Sequence, residues 1–472
     1  MSAKIQTALL DDIACELYKE YGTAVNEDRS VPGKIDGLKP VTRKLLWAAY
    51  KMGSTSGSKL VKAARVVGET MGKFHPHGDA GTYSGLVTLV NSPIPLFEGQ
   101  GNWGNLSETT PAAMRYTEAR LNKFSEKIFF DKFYLPTIEY IDNYDGSDVE
   151  PLNLPALLPN LLLNGTFGIG VGVSTYVPSY TVSSVVKVLK AALSGEKLDY
   201  KLCRKLEFTT KYGGVATPDK AVLKQLYKTG KGKIPFKSVH TIDLKKNCVV
   251  ITQFAPITSL ERALEKCADL KEVVKPNDAS GKKDKYATVK VELKKSLKGK
   301  ELEKVVDKVM NIFSTNENFD IKVTTRTLDK KGNAKVELSN STVPQILQDW
   351  IDYRIALEVK ACNYWIGKAD EKIAYLNLLR KAVANRALII KALDKDCSEE
   401  ELVKFIAKSL KITEDEANKI LDLKVRQLRK LEDKNLVNQI AEVEKERSGL
   451  KARTKNPRNY VSNQLDGFLK LA

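Results

Sequence analysis

The sequence predicts an α+β protein built from several domains, and three patterns along the chain support this prediction. Residues 1–150 predict short helices joined by tight turns. Residues 151–340 alternate β-like runs with helical ones, and residues 341–472 are dominated by long helix-favouring stretches. A chain of 472 residues has room for two to four domains. We therefore predict three domains, with boundaries near residues 150 and 340.

Composition limits the class of protein. The chain has 42% apolar and 28% charged residues, which is usual for a globular protein in water. No run of 18 apolar residues predicts a membrane span, and the acidic N-terminal segment differs from a signal peptide. The six cysteines form no C-x-x-C pair, so we expect neither a zinc site nor disulfides, and a reducing cytoplasm fits best.

The net charge of +18 is unevenly distributed. Residues 151–340 carry 34 basic and 19 acidic side chains, and residues 29–73 carry ten basic and two acidic ones. Two basic zones on one chain indicate a long anionic partner such as DNA. The alternative is a basic protein without such a partner, because net charge says nothing about fold.

In the first part of the chain, helical spacing of apolar residues predicts helices at residues 7–21, Val41–Met52, Lys59–Met71 and Thr82–Val90. Gly22 is expected to end the first helix. Short helices joined in this way suit a helix-turn-helix or winged-helix module. The Gly- and Asn-rich segment Glu98–Asn105 is expected to lack regular structure.

The middle part predicts an α+β domain, with strands at Val249–Phe254 and Tyr286–Leu293 and helices at Leu260–Leu270 and Gly299–Phe313. The polar segment Lys271–Lys285 is expected to be an exposed loop.

The last part predicts an antiparallel helical arm with a globular tip. A helix from about Ser341 to Leu393 would be roughly 75 Å long and needs a partner helix. Two capping boxes, Ser398-x-x-Glu401 and Thr413-x-x-Glu416, predict short helices. A returning helix is predicted from about Val425 to Leu450, with Leu436, Ile440 and Val443 on one face.

The pair Arg115-Tyr116 is one candidate for chemistry. A phenol is a weak nucleophile at neutral pH, and a neighbouring guanidinium favours both the phenolate and an anionic transition state. Taken alone, an Arg-Tyr pair on a helix surface is the commoner explanation. His75-Pro-His77 is more specific, because it holds two of only three histidines. Two imidazoles there could contact phosphate; metal ligation and a structural role remain alternatives.

Basic residues precede these motifs. Turn residues place Arg29, Lys39, Arg43 and Lys44 on loops and at a helix N-terminus, where backbone amides also attract phosphate. Lys59, Lys62 and Arg65 lie on a predicted helix that could enter a major groove, and Lys73 ends this zone. The alternative is a solvated basic face.

Taken together and in order, these segments resemble one protein family. The string Asp36-Gly-Leu-Lys-Pro-Val-Thr-Arg43 is similar to the DGLKPV signature of gyrase A and topoisomerase IV cleavage subunits. Further similar segments follow in the family's order: Lys62–Asp79, Gly99–Gly104, Ala112–Glu118, Asn143–Pro151, Pro159–Gly165, Tyr227–Lys233 and Ile420–Leu428. The short, compact chain most resembles the medium subunits of T-even-like bacteriophage topoisomerases.

The resemblance implies a winged-helix cleavage domain, a tower domain, and a coiled-coil arm that ends in a dimer gate. It implies that Tyr116 attacks a phosphodiester and holds the 5′ end as a phosphotyrosine, with one Tyr116 per protomer of a homodimer. Arg115 and Arg29 would stabilise the transition state, and His77 and His75 would contact phosphate. Lys39 and Arg43 would hold the DNA backbone.

Ile169, between glycines in Phe167-Gly-Ile-Gly170, matches the family's isoleucine that wedges between base pairs and bends the DNA. The sequence also departs from the family. Thr42 stands where relatives often have His, and Lys44 replaces an Arg, which removes a bidentate fork. Ala80 and Ser84 stand where bacterial relatives have the residues that hold quinolone drugs.

No ATPase-type glycine loop and no toprim-type carboxylate set is visible in the sequence. We therefore expect a partner with ATPase and toprim domains, which would hold Mg²⁺ and use ATP, while this chain binds no metal itself. Without a wrapping domain after the arm, relaxation or decatenation is expected rather than supercoiling. The competing hypothesis is a non-enzymatic winged-helix regulator, which leaves the Arg115-Tyr116 motif unexplained.

Overall fold

The computed structural model describes residues 9–107, 110–281, 286–394, 397–423 and 433–470. The described chain divides into two compact units. One contains the residues up to Arg354 together with those from Val461, and the other contains residues 355–460. Helices and strands both contribute, so the predicted mixture of α and β structure is confirmed.

Helices dominate the start of the first unit: α1 (Leu10–Val25), α2 (Pro40–Lys51), α3 (Ala63–Lys73), α4 (Asp79–Val90) and α5 (Lys123–Phe129). Pro40 occupies the first turn of α2, where its missing N–H costs nothing. Helices α2, α3 and α4 pack on one another. Beside them lies an antiparallel sheet in the order β1-β3-β2, formed by β1 (Val61–Lys62), β2 (Phe97–Gln100) and β3 (Glu118–Leu121).

Three sequence predictions for this region are wrong in part. Gly22 does not end α1, which continues to Val25 and into a π-helical turn, Asn26–Ser30. Gly22 is buried because the helix lies against Val171, 3.2 Å from where a Cβ would be. The helix predicted from Lys59 begins only at Ala63, because β1 precedes it. The Gly- and Asn-rich segment contributes three residues to β2.

Short elements connect the first helices to the middle of the chain: β4 (Tyr140–Asp142), β5 (Val149–Pro151), α6 (Asn160–Asn164), β6 (Thr166–Ile169), β7 (Ser174–Val177), β8 (Ser179–Tyr180), α7 (Val182–Leu193), α8 (Tyr200–Cys203), β9 (Phe208–Thr209), β10 (Val215–Ala216) and α9 (Lys220–Thr229). Strands β6 and β7 form a hairpin at the edge of a five-stranded sheet, ordered β10-β11-β16-β7-β6. The remaining members of that sheet are β11 (Lys231–Lys237) and β16 (Thr315–Asp320).

Residues 239–313 form a compact α/β subdomain. Its antiparallel sheet is ordered β12-β13-β15-β14 and is packed against two helices. The elements are β12 (Val239–Asp243), β13 (Cys248–Gln253), α10 (Leu260–Ala268), β14 (Val273–Asp278), β15 (Val289–Leu293) and α11 (Gly299–Ile312). The predicted strands and helices here are confirmed within a few residues. The predicted loop Lys271–Lys285 is wrong in part, since it contains β14; residues 282–285 lie outside the described chain.

A two-stranded hairpin, β17 (Lys322–Leu328) and β18 (Ala334–Asn340), precedes the long helices. These are α12 (Val343–Ala384), α13 (Arg386–Leu393), α14 (Glu399–Leu410), α15 (Glu414–Leu421), α16 (Asp433–Lys455) and α17 (Pro457–Asp466). The long predicted helix is confirmed as far as Ala384, after which Asn385 separates it from α13. Both capping boxes are present.

Helices α12 and α16 run antiparallel in the second unit. Arg453 pairs with Glu358, and Arg447 pairs with Asp370, so positions advance along one helix as they recede along the other. The predicted face of α16 is confirmed, because Leu436, Ile440 and Val443 pack together with residues of α12. The predicted start at Val425 lies outside the described residues. No helix in the described part of the chain is long and apolar enough to cross a membrane.

Candidate functional site

Tyr116 lies on the loop that leads directly into β3. Its side chain is 62% exposed, so the phenol is open to solvent. The guanidinium carbon of Arg115 lies 4.7 Å from the centre of the Tyr116 ring. An exposed phenol with a cation on its ring face is an arrangement that an anionic substrate could approach.

The loop is held by the N-terminus of α3. The backbone N–H of Ala64 donates to the carbonyl of Met114 at 3.1 Å, and that of Ala63 donates to the carbonyl of Thr117 at 2.9 Å. The first N–H groups of a helix have no partner within the helix, so these two bonds satisfy α3 while fixing the loop. On α4, the Tyr83 hydroxyl donates to the carbonyl of Ala112 at 2.7 Å.

The Gly- and Asn-rich segment before Tyr116 closes on itself. The Ala112 N–H donates to the carbonyl of Asn102 at 2.9 Å. Between these residues, Trp103 is 6% exposed and its ring lies 5.8 Å from that of Tyr83. A Cβ on Gly99 would lie 2.5 Å from Trp103 Nε1, which explains the glycine. The segment is therefore a packed support and not a free loop.

A second group of side chains surrounds His75. The rings of His75 and His77 stack with their centres 4.3 Å apart. Burial lowers the pKa of His75 to about 4, and the positive charges of His77, Lys44 and Arg29 act in the same direction. His75 is thus neutral near pH 7, in a neighbourhood where His77, Lys44 and Arg29 are gathered. Such a group favours an incoming phosphate.

Lys44, beside His75, already makes contacts with other groups of the protein. Its Nζ donates to the carbonyl of Phe74 at 2.6 Å and lies 3.1 Å from a carboxylate oxygen of Glu150. Burial raises the pKa of Glu150, and the Lys44 charge opposes that rise. Lys44 therefore contributes charge to the His75 neighbourhood while its ammonium is already bound.

Arg43, which was predicted to hold the DNA backbone, is buried in an ion pair. Arg43 is 4% exposed, and its guanidinium donates two hydrogen bonds to the carboxylate of the fully buried Asp36, with N–O distances of 2.5 and 2.9 Å. Lys39 differs, because it is only half-buried, and its Nζ donates to the carbonyl of Phe167 at 2.8 Å. Burial lowers the pKa of Lys39. Lys39 therefore borders the solvent while Arg43 belongs to the core.

The cations predicted for one helix face are distributed differently. Arg65 is exposed on α3, as predicted, whereas Lys62 precedes the helix and pairs with Glu118 at 2.8 Å. Lys59 also precedes the helix. Lys73 ends α3 and pairs with Glu69 at 2.6 Å. The predicted helical face thus retains one of its three named cations, Arg65.

Ile169 lies at the end of the β6–β7 hairpin and is 71% exposed. The hairpin backbone is clamped by the π-helical turn. Ser30 Oγ donates to the carbonyl of Ile169 at 2.9 Å, and the Asn26 amide exchanges two hydrogen bonds of 3.0 Å with the Val171 backbone. The same turn carries Arg29, so Ile169 and Arg29 are held on one support.

The two glycines that flank Ile169 serve this clamp. A Cβ on Gly168 would lie 2.1 Å from the Ser30 carbonyl oxygen, and a Cβ on Gly170 would lie 1.9 Å from Asn26 Oδ1. Either distance is far inside van der Waals contact. The two glycines therefore allow a close approach between segments of the protein itself.

Arg326 supports the π-helical turn from β17. It is largely buried and donates to the carbonyl of Glu27 at 2.6 Å. Sequence reasoning missed Arg326 and Asn26, because each acts on a segment far away in the chain. It also gave Asp36 no role of its own. Only the family-like order of the surrounding motifs could have pointed to that neighbourhood.

An open groove of about 700 Å³ brings several of these residues together. Arg29, Lys39 and Ile169 line it, with Lys211 and the exposed face of α4. Arg115 and Tyr116 do not line this groove, so the Tyr116 loop is a separate part of the candidate site. Within the described residues, no group of three or more His, Cys, Asp and Glu side chains could hold a metal ion.

Comparisons with known proteins agree with the motifs. The family model that describes the A subunit of DNA gyrase/topoisomerase IV matches residues 29–466. The chain is 31% identical to the A subunit of DNA topoisomerase 4 from Neisseria gonorrhoeae, over 94% of this chain and 60% of that protein. It is 29% identical to the A subunit of DNA gyrase from Thermotoga maritima, over 94% of this chain and 55% of that protein. It is 30% identical to the A subunit of DNA topoisomerase 4 from Escherichia coli K12, over 98% and 62%. The chain thus spans less than two thirds of the length of these relatives.

Proposed function

The chain belongs to the family of DNA gyrase and topoisomerase IV A subunits, and on that premise we propose that it breaks and rejoins DNA in an ATP-dependent type IIA DNA topoisomerase. One observation carries the proposal. Tyr116 is an exposed phenol with the Arg115 guanidinium on its ring, on a loop fixed by the N-terminus of α3. Backbone hydrogen bonds hold that loop, and the exposed phenol is open to an incoming duplex.

In the proposed reaction, Tyr116 Oη loses its proton and attacks a backbone phosphorus. The bond between phosphorus and the 3′ oxygen breaks as the tyrosyl bond forms, and the 3′ oxygen takes up a proton. The 5′ end stays on the protein as a phosphotyrosine, so the bond energy is kept and the reverse attack by the 3′ hydroxyl reseals the strand. Two protomers would make the double-strand break through which a second duplex passes, relaxing or decatenating DNA.

Cations stabilise the charge that develops on the phosphorane-like transition state. Arg115 acts from the nucleophile loop. Arg29 and His77 act from the His75 neighbourhood, and neutral His75 can donate one hydrogen bond to a phosphate oxygen. When a phosphate enters, its negative charge offsets the cations that lower the pKa of His75.

The groove supplies a path for the duplex. Arg29, Lys39 and Lys211 line it, and Arg65, Lys62 and Lys73 add positive charge along α3 and at its ends. Ile169 projects beside this path and would wedge between base pairs, bending the DNA toward further basic surface. Phosphate contacts would dominate the affinity, so binding should fall about 10³–10⁵-fold between 50 and 200 mM salt.

The reaction also requires groups from a second protein. Mg²⁺ would act as a Lewis acid on the scissile phosphate. We assign that ion, and the use of ATP, to a partner with toprim and ATPase domains. The residues of this chain bind and orient the duplex and supply the nucleophile.

We assign the parts of the fold accordingly. Helices α2–α4 with the β1-β3-β2 sheet are the winged-helix cleavage domain, residues 151–340 are the tower, and residues 341–472 are the coiled-coil arm with its dimer gate. We propose a homodimer with the organisation of the bacteriophage medium subunits, acting in the cytoplasm that holds its DNA.

The decisive experiment is Tyr116→Phe, which removes one oxygen. The variant, combined with its partner, should give no DNA-linked protein after a detergent quench, while duplex binding stays within about twofold of wild type. Tyr144→Phe is the matched control, because Tyr144 is also exposed and its hydroxyl donates to the Gly72 carbonyl at 2.8 Å. A DNA-linked Phe variant would refute Tyr116 as the nucleophile, and a wild-type chain that never forms the link would refute the function.

A further inference from the structure

Leu106, in the segment that leads to Tyr116, is buried in the core of the α/β subdomain. It is 3% exposed and packs in a cluster whose other buried residues all lie between Val249 and Phe313. The next residue, Ser107, donates a hydrogen bond from Oγ to Asp278 at the end of β14. The segment is therefore anchored at two neighbouring points in a part of the chain more than a hundred residues away.

The same segment is fastened to the nucleophile loop. The hydrogen bond from Ala112 to Asn102 joins the two strands of chain that lead to and from Leu106. From Ala112 the backbone reaches Tyr116 in four residues, and the Tyr116 N–H donates to the carbonyl of Ala113 at 2.9 Å. A displacement of the Leu106 anchor would therefore be passed to Tyr116 through a short, hydrogen-bonded path.

We propose that Leu106 is a positioning residue for Tyr116: its burial ties the nucleophile loop to the α/β subdomain, so that DNA engaged by that subdomain sets the position of the phenol. The inference rests on the proposed function. Residues 239–313 carry 16 Lys and Arg against 11 Asp and Glu, so the subdomain has a charge that favours DNA. A misplacement of the reacting group by about 1 Å can cost roughly 10²-fold in rate.

The test compares Leu106→Ala with Leu260→Ala. Leu260 is also 3% exposed in the same core, but it begins α10 and does not lie on the chain segment that leads to Tyr116. Both variants lose three carbons from one core, so both should lower the melting temperature. In the enzyme assembled with its partner, Leu106→Ala should slow formation of the DNA-linked protein about 100-fold. Leu260→Ala should keep the wild-type rate, and Leu106→Met should restore it.

A second readout needs no catalysis. Hydrogen exchange at the Ala112 and Tyr116 amides should accelerate at least tenfold in Leu106→Ala and stay at the wild-type rate in Leu260→Ala. Equal behaviour of the two alanine variants in both measurements would overturn the positioning role and leave Leu106 as core filling. Absence of DNA-linked protein in the wild type would instead contradict the proposed function, and the exchange rates would still decide the role of Leu106.

Discussion

Replacing Ile169 by alanine should reduce DNA bending far more than DNA binding. The change removes three carbons, worth about 2.4 kcal/mol when fully buried at about 0.8 kcal/mol per carbon. Since the side chain is 71% exposed, about 1.7 kcal/mol of this remains to be gained between base pairs. The ratio of bent to straight duplex should therefore fall roughly 10- to 20-fold. Phosphate contacts remain, so affinity should change much less.

The assay is energy transfer between dyes at the two ends of a short duplex, measured beside affinity across a salt series. Leu244→Ala is the control, because Leu244 is also 71% exposed and loses the same three carbons from the turn between β12 and β13. If the Ile169→Ala variant bends the duplex as the wild type does, the hypothesis that Ile169 wedges between base pairs is refuted. Equal loss of bending in the Leu244 variant would show that the effect is not specific to Ile169.

Further outcomes are expected for the same chain. His75 has a folded pKa of about 4, below its ordinary value of 6.5; the unfolded chain therefore binds more protons between these values, and stability should fall as pH drops through this window. His75→Gln should flatten that dependence of the melting temperature, and an unchanged slope would refute it. Asp36→Asn should cost about 3–5 kcal/mol in urea unfolding, because it leaves Arg43 unpaired. Lys39→Ala should instead lower by about 1 the slope of log affinity for DNA against log salt concentration. Equal destabilisation by Asp36→Asn and Lys39→Ala would contradict the assignment of Arg43 to the core and of Lys39 to DNA binding. Residues 341–472 should make the chain a dimer, measured by sedimentation at micromolar concentration. A stable monomer at that concentration would contradict the proposed dimer gate. The chain alone should catalyse no strand passage even with Mg²⁺, and passage by the pure chain would refute the need for a partner.

Local patterns in the sequence predicted local structure well. Helical spacing of apolar residues located α2, α4, α10 and α11 within a few residues. The capping boxes located the starts of α14 and α15, because their hydrogen bonds join residues only three positions apart. Errors arose where a distant contact decided the outcome. Gly22 lies inside α1 and close to Val171, and no feature near Gly22 in the sequence contains that contact.

Residues that the sequence placed in one candidate site have different surroundings in the structure. Lys39 and Arg43 share one basic motif, yet the structure leaves the first half-buried beside the groove and buries the second on Asp36. A charge count cannot separate these two outcomes, because it does not contain the position of the acidic partner. The resemblance to the family pointed to both residues equally, and only burial distinguishes a DNA contact from a structural ion pair.

The residues that hold the candidate site in place share one physical property, which explains why the sequence did not predict them. Asn26 and Ser30 clamp the Ile169 hairpin, and Leu106 anchors the segment before Tyr116; each joins parts of the chain more than a hundred residues apart. A reacting group must be held to within about an ångström, which a flexible loop does not achieve by itself. The proposed function would therefore depend on residues that carry no chemistry of their own. For these residues, polar and apolar character matters less than the partner that the fold brings to them.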